Sequence, residues 1–118
     1  MRKILVIDDD PGISEALELI LIEEGYDVQT VDNGEYIYEM NDGNLPDLIL
    51  LDLLLSGIDG REVVKKLKSE DLTKNIPVIM MSAHPKADKS VKDAGADDFI
   101  PKPFDLNELV KRIKKHLN

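Results

Sequence analysis

The stretch Lys3–Gly12, KILVIDDDPG, sets four apolar residues, Ile4 to Ile7, against three consecutive acids, Asp8, Asp9 and Asp10. An apolar run of this length without a polar interruption reads as a strand covered on both faces, not one half open to water. Asp10 followed by Pro11 fits an N-cap and the first residue of a helix. Ile13, Ala16, Leu17, Ile20 and Leu21 then recur at helical spacing, and Gly25 is a C-terminal stop. Asp10 is thereby explained, but Asp8 and Asp9 are not. Like charges gathered at a strand end have a cost unless they are solvated, capped or paired with a cation.

The same alternation runs outward through the chain. Asp27 to Val31 reads as a strand, and Gly34 to Asn41 as a short helix with weaker patterning. Leu48 to Leu51 is apolar on every residue. "SGIDG" (56–60) reads as a turn before a helix that points Val63, Val64 and Leu67 inward. Pro77 opens a strand over Val78 to Met81; a helix from about Lys86 to Ala94, a strand at Phe99–Ile100 and a closing helix with Leu106, Leu109, Val110, Ile113 and Leu117 follow. Strands apolar on both faces, separated by amphipathic helices, indicate an α/β fold with a doubly wound parallel sheet of five strands and five helices. Ligands of such sheets bind at the carboxyl ends of the strands.

At 118 residues the chain is expected to form one domain, 1–118, with an ordinary hydrophobic core. A net charge of -9 argues against direct nucleic-acid binding, which needs a basic surface. With no cysteine, disulfides, thiol chemistry and Cys-based zinc sites are excluded. No apolar run reaches membrane-spanning length. The expectation is a cytoplasmic domain with no membrane contact.

Chemistry collects at the strand ends. Asp8 and Asp9 follow the first strand, Asp52 the third, Ser82 and Ala83 the fourth, and Lys102 and Pro103 the fifth. If the first and third strands are neighbours, three carboxylates converge on a small volume, where they take up protons or hold a cation. An all-oxygen site with few protein ligands suits Mg²⁺, and a lysine and a hydroxyl beside it complete the groups that phosphoryl transfer needs. One carboxylate can be the nucleophile; the residues alone do not say which.

The set "ILVIDDDPG", "DLILLDLLLSGIDG", "VIMMSAH" and "GADDFIPKPF", in this order at these strand ends, resembles the receiver domain of two-component response regulators over the whole chain. The resemblance implies a flavodoxin-like sheet of strand order 2-1-3-4-5. It implies Asp52 as phosphoacceptor from a histidine kinase or phosphotransfer protein, and Mg²⁺ held by Asp8, Asp9, Asp52 and the backbone carbonyl of Leu54. Lys102 pairs with the phosphate next to a cis bond to Pro103, Ser82 supplies a hydroxyl that reorients onto it, and Phe99 is the aromatic switch. Leu54 and His84 occupy positions that tune phosphate lifetime. The face of the last two helices is where a downstream partner or a second receiver binds. Ser56 stands where the family usually has Pro, and Phe99 lacks the hydroxyl of the more usual Tyr.

Blander readings compete at several positions. Asp59 with Glu62 reads as a capping pair. The basic run Lys111-Arg112-Ile113-Lys114-Lys115-His116 reads as the solvated face of the last helix, with cations suiting its C-terminus. Two other functions remain: a haloacid-dehalogenase-type phosphohydrolase using Asp8, which leaves Asp52 without a role, and a phosphorylation-independent interaction module.

Overall fold

In the computed structural model, residues 1–55, 57–84 and 87–117 are described. Ser56, Pro85, Lys86 and Asn118 lie outside that set, and with them the reading of Ser56 and the expected helix start at Lys86. The main sheet is built from β1 (Lys3–Ile7), β2 (Asp27–Val31), β3 (Leu48–Asp52), β6 (Val78–Ser82) and β7 (Asp98–Pro101), all parallel, in the order β2-β1-β3-β6-β7. Numbered among themselves, these five strands run 2-1-3-4-5, as expected. Leu54–Leu55 (β4) and Ile58–Asp59 (β5) form a separate antiparallel ribbon where only a turn was expected. Gly57 between them has φ 74°, a conformation open to glycine and costly for a side chain.

The uninterrupted apolar runs follow from a sheet covered on both sides. Ile4, Val6, Leu48, Leu50, Ile79 and Met81 pack with Leu17 and Leu21 of α1 (Pro11–Glu23) and with Leu109, Ile113 and Leu117 of α4 (Leu106–Leu117). The alternate residues Leu5, Ile7, Ile49, Leu51, Val78 and Met80 turn to the other face. There they meet Val63, Val64 and Leu67 of α2 (Gly60–Ser69), and Ala87 and Val91 of α3 (Ala87–Asp93). Successive strand side chains point to opposite faces, so a strand buried on both must be apolar throughout.

Capping behaves largely as the residues dictate. Asp10 accepts from the N–H groups of Gly12 (2.9 Å) and Ile13 (3.4 Å). Asp59 caps α2 by accepting from the Arg61 N–H at 2.9 Å, but Glu62 pairs with Lys65 instead of completing a capping box. The segment after β2 is a 3-10 helix, Gly34–Glu39, shorter than the expected helix to Asn41. The chain turns there because Asn41 and Asn44 side chains accept from the backbone N–H groups of Gly43 and Asn41, an alternative to helical pairing.

The basic run of α4 is not simply a solvated face. Arg112 donates through Nη1 to Asp98 Oδ1 (2.9 Å) and the Phe99 carbonyl (2.6 Å), and through Nε to Glu108 (3.2 Å). His116 Nε2 lies 3.0 Å from Asp98 Oδ2, and Lys114 pairs with Glu24 at 2.8 Å. Burial works to raise the Asp98 carboxyl, but bonds from His116, the Phe99 N–H and Arg112 outweigh it and hold the group below its ordinary value. A carboxylate held low in the fold stabilises it above the unfolded range and loses that contribution as pH falls through the folded value. Asp98→Asn is therefore expected to cost about 2 kcal/mol at neutral pH. The gap to the native chain should close below about pH 4. Urea unfolding of both proteins across that range checks it; a gap independent of pH would contradict it.

Candidate functional site

The sheet order makes β1 and β3 neighbours, with Ile7 opposite Leu51, so the residues after Ile7 and at the end of β3 share one rim. Asp8 is anchored there by its N–H to the Val31 carbonyl at 3.2 Å, and its Oδ1 accepts from the Asp10 N–H at 2.9 Å. Asp52 closes β3 opposite Met81, and the next N–H, of Leu53, donates to the Met81 carbonyl at 2.9 Å. On the far side, the Lys102 N–H donates to the Ser82 carbonyl at 2.7 Å, and the Lys102–Pro103 peptide is cis.

These anchors bring Lys102 Nζ within 3.0 Å of Asp8 Oδ2 and 3.1 Å of Asp52 Oδ1. Asp8 and Asp52 are buried and Asp9 is exposed, and one carboxylate oxygen from each lies within 4.8 Å of the others. Burial is the largest influence on Asp52 and raises its pKa, with the negative charges of Asp8 and Asp9 adding to the rise against the hydrogen bond from Lys102. Burial also opposes the Lys102 ammonium, yet its bonds to Asp8 and Asp52 prevail and hold it above the ordinary lysine value. Three carboxylates against one ammonium leave the cluster negative. The donors are all oxygen, and the cluster fits a small hard cation.

The other expected site residues fall around this cluster with different degrees of engagement. Ser82 is buried at the end of β6, and its Oγ accepts from the His84 N–H at 2.9 Å. His84 is exposed on the loop beyond it. Leu54 opens the ribbon, 67% exposed, opposite Asp59. Phe99 is buried, packed in the layer that holds α2 and α3. Sequence reasoning passed over Gly60. Its N–H donates to the Leu53 carbonyl at 2.6 Å, and a Cβ there would stand 2.5 Å from the Asp52 carbonyl oxygen. Only glycine permits so close an approach. The signal for it was the glycine directly after the capping Asp59.

The sequence model of the response regulator receiver domain matches residues 4–114. The transcriptional regulator RpaA of Synechocystis, described as DNA-binding, is 40% identical over 116 residues, which are 97% of this chain and 48% of that protein. A receiver domain of a signal transduction histidine kinase from Syntrophus aciditrophicus superposes with a TM-score of 0.89 at 33% identity, covering 99% of this chain and 90% of that one. The response regulator TrrA from Thermotoga maritima, in complex with Mg²⁺ and beryllium fluoride, gives 0.88 at 34% identity, over 99% of this chain and 100% of that one. The chain belongs to the response regulator receiver domains, signalling modules that work by phosphorylation. It spans about half the length of the curated relatives it matches.

Replacing Lys102 by Met should raise the Asp52 carboxyl further in metal-free protein, because the Lys102 hydrogen bond is what opposes burial. A carboxyl-carbon NMR titration reads this directly. An Asp52 titration midpoint that stays put or falls would contradict the geometry.

Proposed function

We propose that the chain is a phosphorylation-activated switch in which Asp52 accepts a phosphoryl group from the phosphohistidine of a histidine kinase or phosphotransfer protein. The observation that carries the reading is the shared ammonium: Lys102 bridges Asp8 and Asp52 at the rim of the sheet. Of the two carboxylates it touches, Asp8 has a fully buried side chain, 0% exposed, and its other oxygen already accepts from Asp10. Asp52 keeps 11% side-chain exposure and is the one a donor can reach. This disfavours the phosphohydrolase alternative, which needs Asp8 as the nucleophile.

Asp8, Asp9, Asp52 and the Leu54 carbonyl would hold Mg²⁺, which when bound neutralises phosphoryl oxygens and lets an anion approach the acidic cluster. An Asp52 oxygen attacks phosphorus as its bond to the histidine nitrogen breaks, and the imidazole leaves with the electron pair of that bond. Lys102 transfers part of its pairing from the carboxylates to the new dianion. Ser82, whose oxygen now accepts from His84, turns its O–H toward the phosphoryl group, and Phe99 is the residue through which the α3–β7–α4 face follows. His84 and Leu54 tune how long the phosphoryl group survives. The phosphoryl group is a stored signal and not a turnover product. The downstream partner, a protein or a second receiver, binds the α3–β7–α4 face, and the setting is cytoplasmic. No helix of the described residues is long and apolar enough to cross a membrane.

Incubation with acetyl phosphate and Mg²⁺, read by intact mass, tests this. The chain should gain one phosphoryl group, lose that gain without Mg²⁺, and show none as Asp52→Asn. A folded chain that gains nothing is a phosphorylation-independent module; a gain that persists in Asp52→Asn and disappears in Asp8→Asn is the phosphohydrolase.

A further inference from the structure

Two loops border the acidic cluster, one after Asp52 and one after Ser82, and each leads into a helix on the same side of the sheet, α2 and α3. The start of α2 rests on the first loop. Gly60 N–H bonds the Leu53 carbonyl at 2.6 Å, and Asp59 pairs with Leu54 in the ribbon. Arg61 then divides its guanidinium. Nε, 3.0 Å from Asp59 Oδ1, and Nη2 grip the capping carboxylate, while Nη1 reaches across to Ser90 Oγ on α3 at 3.2 Å.

Ser90 continues the path. Its hydroxyl donates to the Ala87 carbonyl at 3.0 Å, and the Ala87 N–H donates to the His84 carbonyl at 3.3 Å. The His84 N–H in turn donates to Ser82 Oγ at 2.9 Å. A chain of hydrogen bonds therefore runs from the backbone beside Asp52, through Asp59, Arg61 and Ser90, to the hydroxyl of Ser82. The Asp59–Arg61 pair is partly exposed and adds little to stability by itself. Its geometric consequence is larger, because the fork fixes the Nη1–H that crosses to Ser90 on the neighbouring helix.

We propose that Arg61 is a positioning residue that couples the state of Asp52 to α3 through Ser90. The proposal rests on Asp52 being the phosphoacceptor. When an anion on Asp52 displaces the Leu53 carbonyl on which α2 begins, Arg61 carries that displacement to Ser90, so that α3 follows the backbone beside Asp52 only while the Arg61–Ser90 bond is intact. An anion shifts this equilibrium only if the two arrangements bind it differently, and the coupling works in both directions.

The probe is beryllium fluoride with Mg²⁺, followed by backbone amide NMR. In the native chain it should shift the amides of the loops after Asp52 and Ser82 and those of α3. In Ser90→Ala the first loop should respond as before, while the α3 response falls by roughly threefold or more. Ser90→Thr, which keeps the acceptor oxygen, should restore it. Arg61→Gln should match Ser90→Ala, and the double variant should add nothing further. An α3 response of native size in Ser90→Ala overturns the coupling while leaving Asp52 as acceptor. No response anywhere in the native chain overturns both.

Discussion

The arrangement depends on one shared ammonium. Asp8 and Asp52 sit buried at the ends of adjacent strands, and two buried carboxylates without a counter-charge would disfavour the fold or take up protons. Lys102 lies within 3.1 Å of both and is itself kept charged by them. The pairing tolerates burial but leaves the cluster one charge short of neutral even before Asp9 is counted. That residual negative charge is what an acidic, all-oxygen cation site requires. The same ammonium that holds the two carboxylates in place is a cation in direct contact with Asp52.

The fold delivers Lys102 by backbone pairing and not by side-chain contacts alone. Its N–H is held by the Ser82 carbonyl, and Asp98, which opens the same strand, is gripped by Arg112 and His116 from α4. Arg112 also bonds the Phe99 carbonyl, so the strand that leads to the site is fastened at its other end to α4. Asp52 and Ser82 are likewise carried by strands whose neighbours are fixed in register. Beyond these strands the link between α2 and α3 runs through side chains, Arg61 and Ser90.

Much of this was legible in the sequence because the two-faced burial of a parallel sheet leaves a plain record. Ile4–Ile7, Leu48–Leu51 and Val78–Met81 each alternate between the two packed layers, and runs with no polar residue have few other uses. The candidate site was legible for the same reason: Asp8, Asp52 and Ser82 are the polar residues at which those runs stop, and Lys102 follows the short strand that ends at Pro101. What escaped had no pattern to give. The ribbon at Leu54–Leu55 and Ile58–Asp59 is too short for periodicity, and the 3-10 helix at Gly34–Glu39 is ended by two asparagine side chains. The pairing of Arg112 and His116 with Asp98 joins residues more than a helical turn apart in sequence and on different elements, which no local spacing reveals. Gly60 was read only as part of a turn, although its lack of a Cβ is what lets α2 begin against the Asp52 carbonyl.

The most direct test is a crystal structure of the chain with Mg²⁺ and beryllium fluoride. The account predicts beryllium bonded to an Asp52 oxygen, with Lys102 Nζ and Ser82 Oγ both within hydrogen-bond distance of its fluorides and Asp8 unmodified. Beryllium fluoride on Asp8 or Asp9, or bound away from a Lys102 still bridging Asp8 and Asp52, would contradict it.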